Sequence, residues 1–207
     1  MAYDLEEQEQ LDEFKAWWKR YGKVVSNGLL AVVVAYGAYL GWNYYQTNQS
    51  TAASTQYQEL IVTDEKDVKA IQAKSALLMD KFSATPYAGR AALFAAKINY
   101  QANDIKSAKA QLSWTLKNAK ESTVSAIAGL QLANILAEEK DLDGALKVIE
   151  APHDAGFDGL YADLKGDILM AQGKTAAAKV AYSFALIKLD PQGQYRTLTQ
   201  QKLDALG

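Results

Sequence analysis

From Val24 to Trp42 the chain reads VVSNGLLAVVVAYGAYLGW, nineteen residues without a charge. At ~1.5 Å rise per residue a helix of that length reaches ~30 Å, the hydrocarbon thickness of a bilayer. In lipid each backbone N–H and C=O must be satisfied inside the segment, so the run is predicted to be a helix. Trp17, Trp18 and Tyr21 precede it and Trp42, Tyr44 and Tyr45 follow it, which places amphipathic rings at both interfaces. Ahead of the span, Leu5, Leu11, Phe14 and Trp18 recur at helical spacing in an otherwise acidic tail. After Tyr45 the residues QTNQSTAASTQYQ are polar, uncharged and free of Gly and Pro. They predict a helical stalk, with Leu60, Ile61 and Val62 as its docking patch.

Beyond the stalk the apolar positions follow a period near four. Asp67–Phe82 is predicted as one helix, and from Pro86 the chain repeats itself. In residues 159–191, Gly166, Leu169, Gly173, Ala178, Tyr182, Ala185, Leu186 and Pro191 stand close to tetratricopeptide spacing. Stepping back by 33 and then 37 residues carries Ala178 to Ala145 and Ala108, and Gly166 to Ala133 and Ala96. The two small residues are twelve apart in each copy, which lets two antiparallel helices touch. Three helix pairs are predicted, at about 88–120, 125–157 and 160–192, because one copy alone cannot bury its apolar face. Residues 197–206, with a narrow stripe of Leu198, Leu203 and Leu206, suit a closing helix. The fold class is all-α: a transmembrane helix followed by a tetratricopeptide-like α-solenoid. The expected division is 1–23 tail, 24–45 span, 46–66 stalk and 67–207 domain.

Charge adds direction. Lys15, Lys19, Arg20 and Lys23 crowd the N-terminal flank, and the first charge beyond the span is Glu59. Cations stay cytoplasmic, so a signal-anchor with a cytoplasmic N-terminus and an exported domain is expected. A cleaved signal peptide fits less well, since the apolar run is long and no A-x-A site follows it. The first 23 residues hold six acids and four bases, leaving eighteen of each for 59–207. A neutral domain has no pull towards nucleic acid. The chain has no cysteine, which removes disulfides, thiolate metal sites and thiol nucleophiles. Within the span Gly37-Ala38-Tyr39-Leu40-Gly41 is a G-x-x-x-G, a flat strip that favours close helix pairing in lipid.

Candidate chemistry is sparse. The one histidine, His153, sits in the loop EAPHDAG with Asp154 beside it and no second base or nucleophile. Asp141-Leu142-Asp143-Gly144 opens like a calcium loop, but the twelfth position is Pro152 where a bidentate Glu is needed. It reads instead as a helix-to-helix turn with an N-cap. Asp163 and Asp167, one turn apart, are the remaining acid/base pair, and paired carboxylates on a helix are ordinarily a solvated face. No enzyme and no cofactor is expected. A solenoid does offer a concave face, built from the first helix of each pair. The register puts Arg90, Leu93, Lys97, Tyr100, Ile127, Leu130, Asn134, Ala137, Leu160, Asp163, Asp167 and Met170 on it. That face reads basic, then apolar, then acidic, and suits a peptide, unless the Asp67–Phe82 helix covers it.

The acidic tail ending in WWKRYGK, the span running into GWNYY and the degenerate repeats together resemble the ancillary SecYEG translocon subunit family, of the YfgM type. Residues 11–45 carry the most specific part of the likeness. The resemblance implies a single-pass protein of the bacterial inner membrane facing the periplasm. It implies as partners the SecYEG translocon, a membrane-anchored periplasmic chaperone of the peptidyl-prolyl isomerase type, exported client proteins and membrane lipid, and it carries no catalytic residues. A repeat scaffold for another envelope assembly, such as cytochrome c maturation, is the alternative.

Overall fold

The computed structural model describes residues 2–207, with the side chains of 2–6 and 8, Leu5 among them, outside the description. The chain divides into two compact units, residues 1–48 and 49–207. Helix α1 covers Ala2–Ile61, and its residues 9–61 are the one helix, among the described residues, long and apolar enough to cross a membrane. None of its most apolar window is buried. In the first unit Trp17 and Trp18 lie against Phe14 with ring centroids 6.1 and 6.2 Å away. Arg20 lies over the Tyr21 ring, and Lys15 pairs with Asp12 at 3.0 Å. Side chains placed on Gly28, Gly37 or Gly41 would meet nothing within 4 Å, so the glycine strip is open along its length.

The second unit is all-α among its described residues. It holds the end of α1, α2 (Val68–Lys81), α3 (Pro86–Gln101), α4 (Ile105–Asn118), α5 (Ser122–Glu138), α6 (Leu142–Ile149), α7 (Asp158–Ala171), α8 (Thr175–Lys188) and α9 (Gln194–Asp204). The pairs α3/α4, α5/α6 and α7/α8 are the three repeats. Ala96 and Ala108, Ala133 and Ala145, Gly166 and Ala178 are all buried, where their small size lets the paired helices approach.

Each repeat turns in the same way. Asn103, Lys140 and Gly173 stand one per turn at φ of 61°, 67° and 75°. The amides of Asp104, Asp141 and Lys174 then return to the carbonyls of Asn99, Leu136 and Leu169 at 2.8–2.9 Å. That closes the helix C-terminus with a left-handed residue and satisfies carbonyls that would otherwise be orphaned. Glycine takes that conformation without cost, whereas lysine at 140 is strained there. Asp104 and Asp141 next cap the following helix, accepting from the amides of Ser107 and Gly144.

The compact unit opens at Gln49 and not at 67, the expected start of the domain. The last turns of α1 bury Ala53 and Leu60 against Ile71, Leu78, Ala91, Ala95 and Ile98, so they act as the first half of a fourth hairpin with α2. Of the expected docking patch, Leu60 is fully buried while Ile61 and Val62 are exposed. Lys74 of α2 ties this hairpin, donating to the Glu59 carbonyl and to Thr63 Oγ1, each at 2.9 Å.

Candidate functional site

The residues assigned to the concave face separate into three groups. At the first repeat, Lys97 and Tyr100 of α3 and Asn134 of α5 line one cleft of about 320 Å³ together with Ala96, Leu112, Gln131, Ile135 and Glu138. Tyr100 donates to Glu138 Oε2 at 2.7 Å, and this bond raises the phenol's pKa. Helix α2 does not close the cleft: its buried Ile71 and Leu78 pack with Ala91, Ala95 and Ile98 of α3. Arg90 stands apart, held by Glu121 through bonds of 2.7 and 2.6 Å. That fork holds the Glu121 carboxyl below its ordinary range and neutralises the expected basic end.

The apolar middle is consumed by the core. Leu93 packs with Ala96, Ala108 and Leu112, and Leu130 and Ala137 pack with Ala126, Ala133 and Tyr161. Ile127 is half-buried.

The expected acidic end is closed. Lys202 of α9 reaches Asp163 at 2.8 Å and Asp167 at 2.7 Å, Thr199 donates to Asp163 and Tyr182 to Asp167, each at 2.8 Å. Burial works to lower the Lys202 pKa, but the bonds to both carboxylates outweigh it and the net shift is upward. Met170 packs with Leu203 of α9 and Leu206 beyond its end against Leu169 and Ala178. Leu160 lines a separate cavity of about 170 Å³ beside Lys188 and Tyr195. The acids at 163 and 167 therefore fasten the closing helix. The register could not signal this, because Lys202 lies more than thirty residues away.

His153 is not oriented by Asp154, which accepts from Ser122 and from the Gly156 amide. The imidazole instead stacks on Tyr161 with centroids 3.7 Å apart, its Nδ1 3.0 Å from the Ala151 carbonyl and its Nε2 3.4 Å from Asp158. Burial pushes Tyr161 up to about 12, and its hydroxyl donates to the Ala126 carbonyl at 2.9 Å. This arrangement is structural: the stack and the hydroxyl bond join the loop after α6 to α5 and α7. Gln131 and Glu138 complete the first cleft and were not assigned from the sequence. Their spacing to Asn134, at i−3 and i+4, is the signal that places all three on one face.

A family model described as a tetratricopeptide repeat-like domain matches residues 15–207. The match begins within the cationic flank, so it takes in the apolar helix as well as the repeats. Over its whole length the chain is 34% identical to the whole of an ancillary SecYEG translocon subunit from Neisseria gonorrhoeae. The chain belongs to this family. Proteins of the same name from Haemophilus influenzae and Escherichia coli are 32% and 27% identical, over 89% and 97% of this chain and 91% and 96% of their own lengths. No solved structure matches the chain with significance. The relatives are named as ancillary subunits of the SecYEG translocon.

Proposed function

We propose that the protein is a non-enzymatic accessory subunit of the SecYEG translocon, anchored in the bacterial inner membrane by residues 24–45. Its N-terminus is cytoplasmic and its repeat unit periplasmic, and the repeats link exported proteins to a membrane-anchored chaperone of the peptidyl-prolyl isomerase type. The observation that carries this reading is the joint occurrence of the apolar helix, its one-sided cations Lys15, Lys19, Arg20 and Lys23, and a repeat stack shared with proteins named as translocon subunits. Emerging chains are held at the cleft of Lys97, Tyr100 and Asn134, where apolar floor and polar rim suit an extended segment.

The absence of cysteine makes the test direct. Single cysteines introduced at Glu9 and at Lys117 are labelled in intact cells with a membrane-impermeant maleimide. Labelling at 117 alone fits the proposed orientation, and labelling at 9 alone reverses it. Purification of the full chain from solubilised membranes then recovers the translocon and the isomerase-type chaperone; recovery of neither overturns the partnership.

A further inference from the structure

The second and third repeats each depart from the common pattern in one place, and both departures meet at one cleft. Helix α6 has eight residues where its counterparts α4 and α8 have fourteen. The six missing residues amount to ~9 Å of helix, and the chain instead turns away through Ala151–Asp154 to a short 3-10 helix at Ala155–Phe157. Beside the truncated end lies a cleft of about 1030 Å³ between α6 and α8, floored by α7. Its floor and walls are apolar, with Leu146, Ile149, Ala162 and Leu169 facing Ala177, Val180 and Phe184 of α8. Val180, Phe184 and Ile187 are 70, 46 and 78% exposed, at the i, i+4, i+7 spacing of an interaction stripe. Such residues normally find a cover, and a contiguous exposed patch marks an interaction surface.

Charge indicates the character of that cover. At the turn before the second helix, the first two repeats place Asp104 and Asp141 as N-caps, whereas the third places Lys174. Helix α8 thus starts without a side-chain cap or an acid in its first turn. Lys174 lines the cleft, and its ammonium makes no hydrogen bond or ion pair with the described residues. The other rim charges are already matched, Lys165 to Glu150 at 2.7 Å and Lys188 to Asp158 at 3.1 Å. One end of the cleft therefore carries an unanswered cation reinforced by a helix dipole, and the rest is apolar.

We propose that this cleft docks a short amphipathic helix of a partner protein, apolar along one face and carrying a carboxylate at the end that meets Lys174. The docked segment takes the place left by the missing turns of α6 and covers Val180, Phe184 and Ile187. The cleft is walled by the second helices α6 and α8 and shares no lining residue with the Lys97–Asn134 cleft. The inference goes beyond the translocon reading and holds whether or not that reading does.

The test uses the full chain in lipid nanodiscs. The probes are synthetic stapled helices of about 12 residues with leucines at i, i+3, i+4 and i+7, a benzophenone at one leucine, and a glutamate at either the N- or C-terminal end. One of the two acidic peptides is expected to bind saturably and to photo-crosslink to α8 and the floor of α7. Phe184→Ala is expected to weaken it at least about tenfold. Ile187→Ser, at a more exposed position, gives a second reading free of any folding defect. Lys174→Glu is expected to lose the acidic peptide and to bind the same helix with lysine in place of the glutamate. No saturable binding by either peptide, crosslinks outside α6–α8, or a charge swap without effect overturns the proposal. So does efficient crosslinking of one copy to another from a benzoylphenylalanine at 187, which would assign the patch to self-association.

Discussion

Gly166 is the most tightly packed glycine of the third repeat, and replacing it with alanine tests why a residue without a side chain stands there. A Cβ on Gly166 would lie 2.3, 2.5 and 2.7 Å from Cε1, Cδ1 and Cζ of Tyr182. These are atoms of the ring body, and the ring is only 3% exposed, packed with Leu169, Ala178 and Ala181. It has no free volume to enter. Overpacking of this kind costs ~1–3 kcal/mol. Displacing the ring also strains the Tyr182 hydroxyl bond to Asp167, 2.8 Å long, and a hydrogen bond to a charged acceptor contributes ~1.5–3 kcal/mol. Against this, alanine in place of glycine inside a helix returns up to ~1 kcal/mol. The balance is a loss of about 2–3 kcal/mol. Pulse proteolysis of the full chain across a urea series, in mild detergent, reads this loss as a shift in midpoint. Tyr182→Phe alone should cost about 1.5 kcal/mol by removing only the hydroxyl bond. Tyr182→Leu combined with Gly166→Ala should recover roughly the overpacking cost relative to the sum of the single changes. A Gly166→Ala midpoint equal to wild type, or strict additivity in the double variant, refutes the steric account.

Three further outcomes follow from the same geometry. Glu121→Gln should cost ~0.5–1 kcal/mol at pH 7, the range of a well-aligned but part-exposed pair. Because Arg90 lowers the Glu121 pKa, that contribution is present above the unfolded value of ~4.3 and vanishes as pH falls through the folded one; urea midpoints of wild type and variant should draw together as pH falls below the unfolded value. Lys202→Met should leave Asp163 and Asp167 without their cation and loosen α9 by ~1–2 kcal/mol, seen as about tenfold or faster amide exchange in Gln194–Asp204. Since the Lys202 pKa is raised, its contribution is full below the unfolded value of ~10.4 and is lost only as pH rises through the folded one; a difference that varies between pH 6 and 9 contradicts the bridge. Gly37→Ile and Gly41→Ile meet open space and should leave the urea midpoint of the repeats unchanged while weakening lateral association of the helix, read by crosslinking in membranes.

The parts of this fold legible in the sequence are those written at short range. Ala96/Ala108, Ala133/Ala145 and Gly166/Ala178 recur because every hairpin needs close contact at the same two positions, and a twelve-residue interval survives degeneration of the rest. The turns explain the unequal steps of 37 and 33: they are the intervals from Asn103 to Lys140 and from Lys140 to Gly173, each at positive φ. Only the last of these is glycine; the turn at Lys140 shows through its N-cap Asp141. Residues 49–61 were legible as a helix, but their place inside the compact unit was not. Ala53 and Leu60, seven apart, are their fully buried members, too thin a stripe to set a polar segment apart from a free stalk. The concave face misled because a repeat register describes neighbours in the stack and is blind to the closing helix. Asp163 and Asp167 occupy the positions where an inner face is expected, but the chain returns thirty-five to thirty-nine residues later with Lys202 and uses them as an anchor. A terminal repeat has no successor to cover it, so its outward polar groups are the first to be recruited for closure. By the same logic Lys174, which breaks the aspartate pattern of its two predecessors and whose ammonium finds no partner among the described residues, is a charge in the third repeat that internal closure leaves unexplained.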